Sequence, residues 1–280
     1  MIIEFLKFII YSVVIVLISK YILVVTLRKL AEVLSLKPKT VGNIAGIATS
    51  MPELLTIAFS SFNGLITTSI INVLSSNVIN VVQYSMAILL NKNQKSLKNK
   101  AIFTDIILVA ITILLPLILV LGNVEMNIKV APIFIILYII FLIINNKAHK
   151  KYLKNEDEKI EGNIEKEEQI EIKNKNRLPL YIFLLVITGI LLFVVGDLLG
   201  NTLENLCNIF GISQTIIGIL LGFITSIPEL ITFFESQKHY KKNKDDDILG
   251  VVEATNNLFT SNIMNLFVIQ TIGILIYSVI

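Results

Sequence analysis

Two glutamates stand inside long apolar runs of the sequence, and each ends the same short motif. Glu53 ends Thr-Ser-Met-Pro-Glu at 49–53, and Glu229 ends Thr-Ser-Ile-Pro-Glu at 225–229. An unpaired charge inside a membrane costs at least about 2.5–3.5 kcal/mol, so a cation or a proton must compensate each carboxylate. The proline removes a helix hydrogen bond and frees backbone carbonyls, while the Thr and Ser add hydroxyl oxygens. Carboxylate, hydroxyl and carbonyl oxygens are the ligands that the hard cations Ca²⁺ and Na⁺ prefer.

A second polar block follows each motif. Ser76 and Asn80 lie four residues apart, and Ser261 and Asn265 repeat that spacing. Residues four apart share one face of a helix, so each pair can complete the oxygen shell around a cation. The alternative interpretation is that these side chains join neighbouring membrane helices, as polar residues often do.

The composition indicates an integral membrane protein. Of the 280 residues, 54% are apolar and 16% charged, whereas soluble domains have roughly 45–50% and about 25%. A bilayer about 30 Å thick needs a helix of roughly 20 apolar residues, and the runs do not alternate as barrel strands do. Eight helical spans are predicted, near 8–27, 40–62, 65–90, 102–121, 130–145, 180–200, 212–236 and 249–279.

The two halves of the chain repeat each other in opposite orientation. The run VGNIAGIATSMPELLT (41–56) matches IGILLGFITSIPELIT (217–232), and SSNVINVVQ (75–83) matches TSNIMNLFV (260–268). Five predicted spans, an odd number, lie between the start of the first copy and the start of the second, so the copies point in opposite directions through the bilayer. We therefore predict an all-α polytopic membrane protein with an inverted repeat, an architecture typical of secondary transporters with a site near the midplane.

Basic residues predict the orientation. Of 24 Lys and Arg, 21 follow the first, third, fifth and seventh spans. Since positive loops stay cytoplasmic, both termini should lie outside a multi-pass protein of the plasma membrane. The predicted divisions are a first half at 1–145 with its motif region at 42–83, a charged cytoplasmic linker at 146–178, and a second half at 179–280 with its motif region at 218–268.

These paired motifs resemble the two alpha repeats of the Ca²⁺/cation antiporter superfamily, particularly its sodium/calcium exchanger branch. The resemblance implies exchange of Ca²⁺ against Na⁺, or H⁺ in related branches. It also implies that the motif Glu, the Thr and Ser before it, the small residue seven positions before the Glu, and the Ser and Asn of the second block hold the ions. In this sequence those residues are Gly46, Thr49, Ser50, Glu53, Ser76, Asn80, Gly222, Thr225, Ser226, Glu229, Ser261 and Asn265.

The sequence departs from the family in three ways. The glycines of the family's GN-x-x-GSN pattern are replaced in both second blocks, at 71–77 and 256–262. Asn265 stands where some prokaryotic exchangers have Asp, which leaves two central carboxylates and the choice between Na⁺ and H⁺ open. The family usually has ten helices. The last two are therefore dispensable, supplied by a second copy or a partner chain, or absent because the sequence is a fragment.

The other ionisable residues in or near the predicted spans are not part of the repeated motifs. Asp105 and Asp197 are expected to be interfacial or to pair helices, and Glu235 to be solvated. Glu253 is open to two interpretations, a gate or proton acceptor on the cytoplasmic side or an interfacial residue. His149 lies among lysines without metal-ligand spacing.

The predicted function is secondary active cation antiport by alternating access, most directly Ca²⁺ against Na⁺ or H⁺. An intramembrane hydrolase would not require a duplicated Thr-Ser-x-Pro-Glu motif, so no enzyme activity is expected. Alternatives are a degenerate protein that senses ions without transporting them, and an exchanger of the monovalent cations Na⁺ and H⁺. The expected partners are the lipid bilayer and inorganic cations, with no nucleic acid and no cofactor.

Overall fold

The described part of the chain folds entirely into helices. The computed structural model describes residues 2–34, 36–62, 64–122, 127–153, 177–211, 213–242 and 247–280, and no strand occurs within them. The predicted all-α class is confirmed. Most of the expected linker at 146–178 falls at 154–176, outside the described residues.

The described residues of the first half form seven α-helices. A π-helical turn at Ser19–Leu23 joins the first two, and a 3₁₀ turn at Gln94–Lys98 precedes the sixth. Their bounds are α1 Ile2–Ile18, α2 Val24–Val33, α3 Pro38–Thr49, α4 Met51–Phe62, α5 Ile66–Leu90, α6 Lys100–Leu121 and α7 Ala131–Tyr152.

Five α-helices are described in the second half, at residues 177–211, 213–242 and 247–280. A π-helical segment at Met264–Ile269 joins the last two. Their bounds are α8 Leu178–Phe210, α9 Gln214–Thr225, α10 Ile227–Lys242, α11 Asp247–Ile263 and α12 Gln270–Val279.

Seven helical stretches of the described residues are long and apolar enough to cross a membrane. They are Pro38–Phe62, Ile66–Leu90, Lys100–Leu119, Ala131–Tyr152, Leu178–Thr202, Gln214–Tyr240 and Ile248–Val279. The first predicted span, near 8–27, is helical but is divided by the turn between α1 and α2, and it is not one of the seven. The chain is therefore a multi-pass membrane protein, and the predicted number of about eight membrane-spanning helices is consistent with the structure.

Each Thr-Ser-x-Pro-Glu motif interrupts a membrane-spanning helix. α3 ends at Thr49 and α4 begins at Met51, and α9 ends at Thr225 before α10 begins at Ile227. Ser50 lies between α3 and α4 and has a backbone ψ of 1°, and Ser226 lies between α9 and α10 and has a ψ of 0°. Proline has no N–H to donate and is tolerated in the first turn of a helix, so the motif both ends one segment and starts the next.

Each interrupted helix packs against the long helix of the other half. α3 crosses α11, and α9 crosses α5. Glycines permit both crossings: a Cβ added at Gly46 would lie 2.8 Å from Thr260 Cβ, and one added at Gly222 would lie 2.9 Å from the backbone nitrogen of Ser76. Small residues let helix backbones approach closely in membranes. The two halves are therefore interlocked rather than laid side by side.

The remaining helices surround this centre. α6 and α7 pack beside the second half, where Phe134 and Phe141 meet Phe267 edge to face at centroid distances of 5.6 and 5.1 Å. α1 packs along α8 on another side. Outward apolar side chains such as Ile118 and Phe183 are exposed in the isolated chain, and in a bilayer they face lipid.

Candidate cation site between the two repeats

The two motif glutamates lie in the first turns of α4 and α10, at the interrupted centre of each spanning helix. Glu53 and Glu229 have no solvent-exposed surface. The unpaired backbone N–H groups of a first helical turn favour negative charge, so each interruption places its carboxylate favourably. All twelve candidate ligands inferred from the sequence are buried.

Glu229 is joined to the first repeat through a chain of hydroxyl groups. Ser261 Oγ donates to Glu229 Oε1 at 3.0 Å, and Ser50 Oγ donates to Ser261 Oγ at 2.9 Å. Asn80 Nδ2 also donates to Ser261 Oγ, at 3.3 Å. Thr49 lies near the same carboxyl group. Side chains from both repeats therefore converge on Glu229.

Glu53 has a different environment from its counterpart. Neither of its carboxylate oxygens has a hydrogen-bond partner within the described residues. Thr225 of the other repeat lies near the carboxyl group, mirroring the position of Thr49 beside Glu229, but does not meet hydrogen-bond geometry. Because a buried carboxylate without a donor is costly, Glu53 requires a positive occupant or a proton.

Several other candidate ligands also carry buried oxygens that lack partners. Asn80 Nδ2 donates to Asn262 Oδ1 at 3.1 Å, while its own Oδ1 has no donor among the described residues. Within the same part of the chain, the unpartnered oxygens of candidate ligands are both of Glu53, Glu229 Oε2, Asn80 Oδ1, Ser226 Oγ and Asn265 Oδ1. Native proteins leave few buried polar atoms unsatisfied, so these oxygens are candidates for binding a ligand.

The remaining candidate ligands differ in the hydrogen bonds that their side chains make. Ser76 Oγ lies 3.5 Å from the carbonyl oxygen of Gly222, and Thr49 Oγ1 lies 3.4 Å from that of Gly46. Asn265 lies in the π-helical segment, and its side chain makes no hydrogen bond with any residue in the described part of the chain. The structure thus brings glycine carbonyls, hydroxyls and carboxylates of both repeats together, with Asn265 buried but unbonded.

Two supporting hydrogen-bond chains were not identified from the sequence. Asn72 Nδ2 donates to Thr56 Oγ1 at 2.9 Å, and Thr56 Oγ1 donates to the carbonyl oxygen of Glu53 at 3.0 Å. Asn257 and Thr232 make the equivalent connection to the carbonyl oxygen of Glu229. Thr56 and Thr232 are 176 residues apart, and Asn72 and Asn257 are 185 apart, which are the two offsets of the internal repeat. Comparing the two halves of the sequence at these offsets could have identified the four residues.

Asp105 is fully buried between helices rather than lying at the membrane surface. Its Oδ1 accepts a hydrogen bond from Asn145 Nδ2 at 2.8 Å, and its Oδ2 lies 2.7 Å from His149 Nε2. This agrees with the helix-pairing interpretation of Asp105. His149, placed by the sequence among cytoplasmic lysines, instead lies in the protein interior as the partner of that carboxylate. Glu235 is half exposed and lies 3.9 Å from Lys238.

No group of three or more His, Cys, Asp or Glu side chains that could hold a metal occurs within the described residues. A cation at the midplane would therefore be held by two carboxylates together with neutral oxygens. Such a donor set suits hard ions that accept many oxygen ligands and does not suit metals that require nitrogen or sulfur.

The chain is similar to known proteins in sequence and in fold. Residues 5–146 and 180–280 match the family model for sodium/calcium exchanger protein. The comparison with curated proteins finds no match. Among solved structures, the sodium-calcium exchanger NCX_Mj soaked with 10 mM Na⁺ and zero Ca²⁺ matches with a TM-score of 0.59 and 20% identity, over 99% of this chain and 84% of that one. The sodium/calcium exchanger from Methanococcus jannaschii matches with a TM-score of 0.56 and 20% identity, over 99% and 83%. At this identity the structural likeness shows the fold.

Proposed function

We propose, since the chain belongs to the sodium/calcium exchanger protein family, that it exchanges Ca²⁺ against Na⁺ or H⁺ at a midplane site formed by its two interrupted helices. A member of this family is a cation antiporter. The proposal adds the ions, the residues that hold them and the way the site reaches the two sides of the membrane.

The observation that carries the proposal is the set of unpartnered buried oxygens around Glu53 and Glu229. A purely structural polar core would satisfy its acceptors with donors of its own. Here five candidate ligands from both repeats each leave at least one acceptor oxygen without a donor in the described part of the chain. A desolvated cation supplies what these oxygens lack, because it replaces its hydration shell with them.

Charge limits what can occupy the site together. Two carboxylates match one Ca²⁺, or two monovalent cations, and holding both sets would leave excess positive charge in a region of low dielectric. Ca²⁺ and its counter-ions should therefore compete for the same oxygens. Competition at one site is the requirement for exchange, since each ion displaces the other.

The inverted arrangement supports alternating access. The two interrupted helices run in opposite directions, so α3 leads to the site from one side of the membrane and α9 leads to it from the other. We place both termini outside and the segment at 146–178 in the cytoplasm, following the distribution of basic residues. On this assignment the halves at 1–145 and 179–280 enclose the site between them.

The test is Ca²⁺ uptake into proteoliposomes that contain the purified chain. One set is loaded with Na⁺ at equal internal and external pH, a second is acid-loaded without Na⁺, and a third has neither gradient. We expect at least one outward gradient to accelerate uptake over the third set. Uptake that neither gradient changes would contradict the proposal and favour a protein that binds ions without transporting them.

A second candidate, exchange of the monovalent cations Na⁺ and H⁺, is favoured by one observation. Asn265 supplies a neutral amide at the centre, so the twelve candidate ligands include two carboxylates. Two carboxylates can bind and release two protons or two Na⁺ without any divalent ion. Na⁺-driven proton movement in the same vesicles without added Ca²⁺, together with no Ca²⁺ flux, would assign this activity instead.

A further inference from the structure

Two small cavities lie near the two motif helices, and each is lined by residues of both halves of the chain. The first, of about 30 Å³, is lined by Thr56, Ser60, Thr68 and, from α8, Asp197. The second, of about 10 Å³, is lined by Thr232, Ser236 and Glu253, with Val41 and Ala45 of α3. Each cavity thus combines hydroxyl groups with a single carboxylate.

The repeat that relates the motifs also relates the cavities. Thr56 and Ser60 correspond to Thr232 and Ser236, each pair 176 residues apart. Thr68 corresponds to Glu253 at the second offset of 185. The carboxylate does not follow this correspondence, because the second cavity carries it on α11 and the first carries it on α8. Each cavity therefore contains one carboxylate, but Asp197 and Glu253 do not occupy corresponding positions in the two repeats.

In each cavity, one lining hydroxyl group is hydrogen-bonded to the backbone of a motif glutamate. Thr56 lines the first cavity and donates to the carbonyl oxygen of Glu53 at 3.0 Å. Thr232 lines the second and donates to the carbonyl oxygen of Glu229 at 2.9 Å. Each cavity therefore lies beside the helical turn that carries a motif glutamate.

The cavities face opposite sides of the membrane. The first lies where α4 ends and α5 begins, beside the start of α9. The second lies where α10 ends and α11 begins, beside the start of α3. Five membrane crossings separate the start of α5 from the end of α10, so these two ends lie on opposite faces. We call them the α4–α5 face and the α10–α11 face.

The two carboxylates differ in accessibility. Asp197 is half-buried at the first cavity. Glu253 is 2% exposed, and its Oε1 accepts a hydrogen bond from Ser236 Oγ at 2.6 Å across the second cavity. The cavity on the α4–α5 face also has the larger volume of the two. In the cavity on the α10–α11 face, two lining residues are hydrogen-bonded to each other.

We propose that Asp197 and Glu253 each recruit the transported cation on one face of the membrane, Asp197 from the α4–α5 face and Glu253 from the α10–α11 face. This inference rests on the proposed function and extends it to the routes that lead to the site. A carboxylate in a cavity with apolar walls concentrates cations locally and strips part of their hydration before they reach the central oxygens. In this conformation Ser236 and Glu253 are hydrogen-bonded to each other at the second cavity.

The inference is tested with Asp197→Asn and Glu253→Gln in proteoliposomes of uniform orientation. The half-saturating cation concentration is measured separately from each face, together with the maximal rate. Asp197→Asn should raise that concentration about tenfold from the α4–α5 face and leave the other face unchanged. Glu253→Gln should show the opposite preference. In both variants the maximal rate should stay near that of the parent.

Two further variants separate recruitment from structural effects. Asp197→Glu, which keeps the charge, should restore the parental half-saturating concentration on the α4–α5 face. Glu235→Gln removes a half-exposed carboxylate next to Ser236 and should change neither face. These outcomes would not follow if the carboxylates only held helices together, since helix displacement would lower the maximal rate for both directions.

Some outcomes would overturn the inference. If the parent exchanges cations but Asp197→Asn shifts both faces equally, shifts neither, or loses rate without a shift, Asp197 is not a recruiting residue and the proposed exchange still stands. The same outcomes for Glu253→Gln remove Glu253. If the parent shows no exchange under either gradient, the proposed function itself fails and the inference fails with it.

Discussion

Asn77 and Asn262 exchange hydrogen bonds across the centre of the protein. The Nδ2 of Asn77 donates to the carbonyl oxygen of Asn262 at 3.2 Å, and the Nδ2 of Asn262 donates to the carbonyl oxygen of Asn77 at 3.1 Å. The residues are 185 apart, which is the offset of the second repeated block. The approximate two-fold axis of the inverted repeat therefore passes between them, beside the candidate ligands Asn80 and Ser261.

Removing the charge of either motif glutamate should abolish cation exchange. Glu53→Gln and Glu229→Gln keep the size of the side chain but remove the charge that compensates a dehydrated cation. Ca²⁺ flux in proteoliposomes should fall to the level of empty vesicles, while membrane insertion and elution in detergent remain those of the parent. Glu235→Gln is the matched control and should retain full flux. Near-parental flux in both glutamate variants would show that the site lies elsewhere.

Adding a third carboxylate to the centre should make transport more sensitive to pH. Asn265→Asp places another negative charge among buried oxygens, and like charges crowded in a dry site resist simultaneous ionisation. Protons should then compete more effectively with Ca²⁺, so flux should fall more steeply than in the parent as pH is lowered. Flux is measured across a pH series at a fixed Na⁺ gradient. Asn80→Asp should act similarly, whereas profiles that superimpose on the parental one would place Asn265 outside the ion shell.

Substituting a crossing glycine should destabilise the protein. In Gly46→Ala the new methyl group would lie 2.8 Å from both Asn257 O and Thr260 Cβ, so the backbones of α3 and α11 must separate. Overpacking of this kind costs about 1–3 kcal/mol. Thermal unfolding in detergent measures the loss. Gly189→Ala on α8 is the control, because nothing lies within 4 Å of its added Cβ. Equal melting temperatures for the two variants would contradict the close crossing.

The buried pair of Asp105 and His149 should affect stability more than transport. Asp105→Asn removes a hydrogen bond of 2.7 Å to His149 and weakens the connection of α6 with α7, at about 1–3 kcal/mol. His149→Gln should cause a similar loss. The two losses should not add in the double variant, because both residues act through one interaction. Thermal unfolding of the three variants gives the coupling, and additive losses would show that the residues act separately. Cation flux per folded molecule should stay near that of the parent.

The sequence predicted the spans and the members of the candidate site because both depend on local or repeated patterns. Apolar run length marked the membrane helices, and the duplicated motif marked Glu53 and Glu229. The partner of each residue was not predictable in this way. Ser261 hydrogen-bonds Glu229 of its own repeat and accepts from Ser50 of the other, so only the crossing of α3 over α11 sets this connection.

His149 shows a second limit of sequence patterns. Its neighbours in the chain are lysines, which indicate a solvated helix end. The helix α7 nevertheless continues to Tyr152, and its rotation directs His149 toward Asp105, a residue 44 positions away. The prediction for Asp105 stated a helix-pairing role without identifying the partner, because nothing in the spacing of the two residues connects them.

The crossing of each interrupted helix over the other half has a consequence for biosynthesis. Ser50 and Ser261, which meet at the candidate site, are separated by 211 residues, so their contact waits until α11 has been made. Until then α3 and α4 have been inserted without α11, and Glu53 lies in the bilayer without the surroundings it has in the finished protein. Long-range contacts of this kind make folding slow and leave early segments exposed while synthesis continues. The candidate site is therefore incomplete until the second half of the chain has been inserted.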